Sequence, residues 1–356
     1  MKRITLPDFP GRRQGGFTLI ELMAALVVGL ILMGGILQIF ISSKNAYTVQ
    51  EGLARLQENG RFALDLLSRD IRMAGYMGCP KPVVDPATQR PRNLTSTLNS
   101  AELPFHFAVG LEGFDGASGY PAYLLSQLGE PPRAGTDAIV VRSVISEAVP
   151  VPAPNNATTV YTALTGSLQA GDLLAIADCA KVRVFQAGST TGTGSMLAIT
   201  HPATGVPGNN PAAWGGAGDQ GDGWFDAGAE VYAVQTRLYY IRRNPDSIPA
   251  LYLKAGVGSP VELITGVADM QIRYGVDLAE PDGAVNQYLT AAGVTAASAW
   301  PRVISVHLSL LLQTDHNLAE TPQPYVFNGV TVTPPANDRR LRRTFATVIT
   351  RRNRAF

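Results

Sequence analysis

The sequence predicts an α+β protein, a long N-terminal helix with a transmembrane first half, packed on a mostly antiparallel β-sheet with long loop insertions. Three observations carry this. Phe17 to Ile41 is a run of 25 residues in which Glu21 is the only charge, long enough to cross a hydrocarbon core as a helix. No proline then appears until Pro80, and the polar continuation keeps a helical period. Beyond Pro80 that period gives way to β-branched and aromatic runs bounded by Gly, Pro and Asn.

The apolar run sets the topology. Lys2, Arg3, Arg12 and Arg13 precede it against the single acid Asp8, which keeps that end cytoplasmic and sends the rest outward. An ordinary secretory signal has its small residues after the apolar run, but here Gly15 and Gly16 stand before it. Glu21 is the expensive residue, since a carboxylate inside an apolar span costs about 2.5–3.5 kcal/mol on insertion scales and calls for a partner.

Gly16 followed by Phe17-Thr18-Leu19-Ile20-Glu21 and an apolar helix resembles the class III signal of type IV prepilins. That resemblance implies cleavage by a prepilin peptidase between Gly16 and Phe17, and N-methylation of the new Phe17 amine. It also implies that Glu21, fifth in the mature chain, neutralises the amino terminus of a neighbouring subunit. The alternatives are that Glu21 pairs with its own Phe17 amine or is simply protonated in lipid. The expected organisation is a cleaved leader over 1–16, an N-terminal helix over 17–78 with its transmembrane segment at 17–41, and a periplasmic α+β head over 79–356.

Hydrophobic content of 46% and charged content of 16% describe a globular chain, not a disordered one. Some 280 residues beyond the helix suffice for a sizeable core. Removing the leader, with four basic groups and one acid, takes the formal charge from +1 to −2, so nothing in the overall balance points to nucleic acid. The two cysteines, Cys79 and Cys179, fall on the oxidising side of the membrane and read as a disulfide before a metal site, with two buried free thiols as the alternative.

Val49, Leu53, Leu56, Gly60, Ala63, Leu67, Ile71 and Ala74 recur every three or four residues, while Arg55, Glu58, Asp65 and Arg69 fall elsewhere around the axis. At 1.5 Å per residue, Phe17 to Ala74 spans roughly 87 Å. Gly29, Gly34 and Gly35 lower helix propensity in the first half, and small residues there suit close packing in lipid. Gly75, Gly78 and Pro80 end the helix.

Residues 81–132 read as long loops and short elements. Strands are expected at 138–143, 172–178, 181–186, 230–243, 250–254, 270–276, 303–313 and 344–352, with a hairpin at Asn244-Pro245-Asp246. Val149 to Asn156 reads as a proline-broken turn. Gly188 to Gly228, crowded with Gly, Thr, Asn and Pro, reads as one long loop.

Five further stretches resemble the PilW family of type IV minor pilins: residues 56–79 (LQENGRFALDLLSRDIRMAGYMGC), 177–185 (ADCAKVRVF), 264–277 (ITGVADMQIRYGVD), 303–312 and 340–354. The resemblance implies a type IV pilin-like fold with an αβ-type insert between helix and sheet. It implies a low-abundance subunit that helps prime filament assembly at the inner membrane and ends at or near the pilus tip. Implied partners are other minor pilins, the major pilin, the prepilin peptidase, the inner-membrane assembly platform and a large tip adhesin. A bulky head of this size also favours an end position over close tiling in a filament. A type II secretion pseudopilin of the GspJ kind is the nearest alternative, and a membrane-anchored periplasmic enzyme or binding module is the alternative of another class.

Catalytic and cofactor chemistry finds little support, and no cofactor is expected. His106, His201, His307 and His316 show no metal-ligand spacing, and no Gly-X-Ser-X-Gly elbow occurs. Gly216 to Gly221 fits a dinucleotide pattern by letters alone but follows no strand and opens no helix. Asp219, Asp222 and Asp226, or Asp277, Glu280 and Asp282 with Gly283, offer oxygen ligands to calcium, although turn formation explains them equally well. Arg339, Arg340, Arg342, Arg343, Arg351, Arg352 and Arg354, with Phe345, Val348 and Ile349 between, form a basic C-terminal strand. It reads as an edge strand protected by charge, or as a contact for a partner pilin, DNA phosphates or anionic lipid.

Overall fold

The computed structural model describes residues 16–81, 83–85, 91–215, 222–278 and 282–353. The leader up to Gly15, the 216–221 glycine pattern with Asp219, and Glu280 and Arg354 lie outside the described residues. Helix α1 runs without interruption over Leu19–Arg72. The chain divides into two units, Met1–Gly52 and Leu53–Phe356. In the first unit the side chains from Gly16 to Thr48 are exposed, and the helix is long and apolar enough there to cross a membrane.

The second unit begins on the same helix. Its buried positions, Leu56, Gly60, Ala63, Leu67 and Ile71, follow the three-four spacing of the sequence, and Ala74 continues the stripe past the helix end. These residues share one core with Ile139 and Val141, Tyr239 and Ile241, Met270 and Ile272, and Leu308 and Leu310, so the helix is held between strands of two different sheets. Past Arg72 the chain turns at Gly75, where φ is +78°. A Cβ on the facing Gly110 would overlap the Gly75 backbone, so two glycines allow the close passage that ends the helix.

In chain order the strands are β1 (Leu94–Ser96), β2 (Leu111–Phe114), β3 (Ala138–Val144), β4 (Val149–Pro150), β5 (Thr159–Ala163), β6 (Leu173–Ala177), β7 (Val182–Gln186), β8 (Thr190–Thr193) and β9 (Met196–Thr200). They continue with β10 (Glu230–Arg243), β11 (Pro249–Ala255), β12 (Val261–Thr265), β13 (Val267–Val276), β14 (Gln287–Leu289), β15 (Val303–Gln313), β16 (Tyr325–Phe327), β17 (Val330–Val332) and β18 (Arg342–Thr350). Among the described residues these strands form four sheets. β10 organises the largest: its first residues pair with β4 and β6, and its later ones with β3 and β11. A second sheet has the order β14-β13-β15-β18. Pairing is antiparallel except between β1 and β7 among the described strands.

Two expectations need correction. Residues 188–228 are not one loop, because β8 and β9 form a hairpin there whose second strand pairs with β5. Its Thr-Thr-Gly-Thr strand is largely exposed, so it lacks the apolar alternation that marks a half-buried strand. Val149 and Pro150, within the stretch read as a turn, extend the large sheet against Val231 and Glu230. The Asn244 hairpin is present between β10 and β11, closed by the Ile248 N–H donating to Asn244 Oδ1 at 2.9 Å.

Three buried charges fasten the layers. Asp70, on the buried stripe of α1, accepts from Arg237 Nη1 at 2.7 Å through both oxygens and from the Tyr239 hydroxyl at 2.5 Å. Burial, then the Asp70 carboxylate, raises the Tyr239 hydroxyl above its ordinary range, so it stays a donor. Arg142, fully buried in β3, donates to the Val109 and Leu103 carbonyls and to Glu112, and so pins the 103–112 segment to the sheet. Asp137 accepts from the Gly116 and Ile272 N–H groups, at 3.0 and 2.8 Å, and burial pushes its carboxyl up to about 6.

Asp70→Ala leaves Tyr239 and the guanidinium of Arg237 without their acceptor. Because Arg237 is partly solvated, the expected loss is about 2–3 kcal/mol, below the roughly 3–5 kcal/mol for breaking a fully buried pair. Guanidinium unfolding followed by tryptophan fluorescence reports it, and an unchanged midpoint would refute the role given to Asp70.

Candidate functional site

The residues singled out at the N-terminus lie together on a short stretch. Gly16 and Phe17 precede the helix in non-helical, exposed backbone, and the Phe17 side chain is 89% exposed. Thr18 is the residue before the first helical turn, and Glu21 is the third residue within it. The Thr18 N–H donates to Glu21 Oε2 at 3.0 Å, the Thr18 hydroxyl donates to the same oxygen at 2.8 Å, and the Glu21 N–H donates to Thr18 Oγ1 at 3.4 Å. This is a capping box, in which two N–H groups with no intrahelical acceptor are satisfied reciprocally. The Thr-X-X-Glu spacing that produces it, Thr18-Leu19-Ile20-Glu21, is a signal the sequence itself carries. The arrangement presents an exposed peptide bond at Gly16–Phe17 directly before a rigid helix. It also holds the carboxylate of Glu21 within one turn of that bond.

The other predicted pair, Cys79 and Cys179, is disulfide-bonded with a Cα–Cα distance of 4.9 Å. Cys79 follows the helix end, and Cys179 lies in the turn between β6 and β7. Asp178 Oδ1 organises that turn by accepting from the N–H groups of Ala180 and Lys181, at 2.7 and 2.8 Å.

Candidate metal ligands do not converge. Among the described residues no three His, Cys, Asp or Glu side chains form a metal-holding group. His201 is buried, its Nδ1 lies 2.8 Å from the Ala212 carbonyl, and it stacks on Trp214 with centroids 4.0 Å apart. Burial pushes its pKa down to about 4, so it packs as a neutral ring. His307 sits on β15 opposite Arg273, and His316 is exposed. Of the acidic loops, Asp277 Oδ2 accepts from Gly283 N–H at 3.0 Å and Asp282 Oδ1 from Ala284 N–H at 2.8 Å, which are turn-forming roles. Asp222 and Asp226 are exposed.

The basic C-terminal run divides. Arg351 is buried and donates to the Val303 carbonyl at 2.9 Å, so it is not a surface contact. Arg340 and Arg342 are both bound to Asp338. Arg339, Arg343 and Arg352 remain exposed.

Comparison with known proteins places these features. The family described as type IV pilus-assembly protein W matches residues 238–353, from the middle of β10 to just past β18. No curated protein matches the chain. A type IV-like pilin from Thermus thermophilus is similar in structure at 11% identity, over 85% of this chain and 98% of that one, with a TM-score of 0.30. The prokaryotic N-terminal methylation motif matches residues 11–37, which hold Gly16, Phe17 and Glu21, so this chain carries an N-terminal methylation motif at its start and the match to type IV pilus-assembly protein W in its C-terminal third.

Proposed function

We propose that this protein is a minor pilin of type IV pilus assembly, structural rather than catalytic. The observation that carries the reading is the joint occurrence of the methylation motif, with an exposed Gly16–Phe17 bond ahead of Glu21, and the pilus-assembly match in the head. In this reading the leader is removed by a prepilin peptidase and Phe17 becomes a methylated N-terminus. The 17–41 segment stays in the inner membrane with the head in the periplasm. Glu21 then meets the Phe17 amine of a neighbouring subunit, a partner suited to a carboxylate in an apolar surrounding.

The head supports a low-copy, end position. A subunit repeated along a filament must tile closely, whereas the unit from Leu53 to Phe356 carries four sheets and long connections. We therefore place it in a priming complex at the inner membrane with other minor pilins and the assembly platform. From there it is carried outward at or near the pilus tip, ahead of the major pilin and beside a tip adhesin.

Intact mass of the full chain from cells with and without prepilin peptidase tests the reading. Loss of Met1 to Gly16 and gain of one methyl group, only in the competent strain, is the expected result. A retained leader, or a cut beyond Ile41, would return the protein to the class of anchored or secreted periplasmic domains.

A further inference from the structure

β18 ends the second sheet. It pairs with β15 on one side, and no other strand pairs along its other side among the described residues. The Arg351 N–H donates to the Ile304 carbonyl at 3.0 Å. Hydrogen-bonded pairs alternate along an antiparallel ladder, so Ile349, Thr347 and Phe345 also turn their backbone groups to β15. Ala346, Val348 and Thr350 then turn theirs outward. Next along the chain, the Arg352 N–H, facing the same way, reaches the Arg72 carbonyl at 3.0 Å. At the other end the Thr344 hydroxyl donates to the Val326 carbonyl. Between these closures lies an open edge of three residues, with Val348 54% exposed.

Charge protection does not account for this edge. Natural edges are blunted by charges placed on them. Here the middle five residues read Ala346-Thr347-Val348-Ile349-Thr350, uncharged and β-prone, and the exposed arginines Arg343 and Arg352 flank them.

The helix supplies the second half of the surface. Phe345 lies against Gly60, where a Cβ would overlap its ring, and Arg352 bonds at Arg72, so β18 runs alongside the last turns of α1. A groove along this part of α1 is lined by Arg61, Phe62, Asp65, Arg69 and Arg72 of the helix, and is reached from the strand side by Arg352, just past the end of β18. Four cations face one acid there, and none of the four has a side-chain hydrogen bond or ion pair among the described residues. Phe62 is 57% exposed in their midst.

We propose that the open edge of β18 and this basic groove together take an extended, acidic polypeptide segment of a partner protein. The segment adds a strand at Ala346 to Thr350, its carboxylates meeting Arg61, Arg69, Arg72 and Arg352 and an apolar side chain covering Phe62. Main-chain pairing gives such a site its affinity, and the groove gives it selectivity. Outward backbone donors and acceptors in register are matched by a polypeptide and not by a lipid or a nucleic acid.

The test uses the full-length protein in detergent with two ten-residue probes, one alternating Val and Thr with Glu, the other carrying Lys in place of Glu. Hydrogen exchange at Ala346, Val348 and Thr350 is expected to slow with the Glu peptide and not with the Lys peptide. Val348→Pro removes one outward N–H without touching the β15 pairing, and it is expected to abolish the protection. The double variant Arg61→Glu, Arg69→Glu is expected to weaken binding by roughly five- to tenfold, as two exposed charge contacts are reversed. Equal protection by both peptides, or none by either, overturns the proposal. So does protection that rises with protein concentration alone, which would assign the edge to a second copy, or protection by phosphatidylglycerol vesicles, which would assign it to lipid. The assay involves neither leader cleavage nor pili, so it stands or falls separately from the minor-pilin reading.

Discussion

Replacing Glu21 by alanine is expected to reduce surface piliation to a small fraction of the parent level while the protein still reaches the membrane. Two physical contributions disappear together. One is the capping box with Thr18, and loss of a cap costs about 1 kcal/mol of helix stability. The other is the charge that, in the proposed assembly, meets a neighbouring Phe17 amine in a medium without water to screen it. Glu21→Gln separates them. Glutamine serves at the third position of a capping box, so it keeps the helix start and removes only the charge. If charge pairing drives assembly, both variants fail equally in counts of pili by electron microscopy, with immunoblots showing unchanged membrane levels. Parent-level piliation by the Gln variant would leave only the cap, and parent-level piliation by both would remove Glu21 from assembly altogether.

The parts of this molecule legible in the sequence are those fixed by local chemistry. The stripe from Leu56 to Ile71 is buried as its spacing requires, and β10 and β15 fall on their expected spans because β-branched and aromatic residues run between clear turns. What escaped is non-local. β10 pairs with four different strands along its length, so the division into four sheets depends on partners far away in sequence. Asp70 escaped for a different reason. An acid between Leu67 and Ile71 on an apolar stripe was visible as a conflict, but its resolution by Arg237 and Tyr239 lies more than 160 residues away. The basic tail was visible as composition only. Which arginines face solvent follows from Asp338 and the Val303 carbonyl, neither of which the run of letters reveals.

Removing the Cys79–Cys179 bond is expected to lower the stability of the head by up to about 4–5 kcal/mol, since it closes a loop of 100 residues and frees that much chain entropy in the unfolded state. The bond joins the segment after α1 to the β6–β7 hairpin, at a point where the backbone already fits closely. Gly78 has a φ of +116°, and a Cβ there would stand 2.7 Å from that of Ala177. The core shared by α1 and the two sheets does not include this corner, so the folded state is expected to persist in the double variant Cys79→Ser, Cys179→Ser with a lower guanidinium midpoint. Parent protein treated with dithiothreitol should unfold at the midpoint of the double variant, and the double variant should not respond to the reductant. Equal midpoints for the parent, oxidised and reduced, would show that the corner holds without the bond. The single variant Cys79→Ser adds an independent check. It leaves Cys179 as a free thiol in an exposed turn, so disulfide-linked dimers should appear on non-reducing gels and be absent from the double variant.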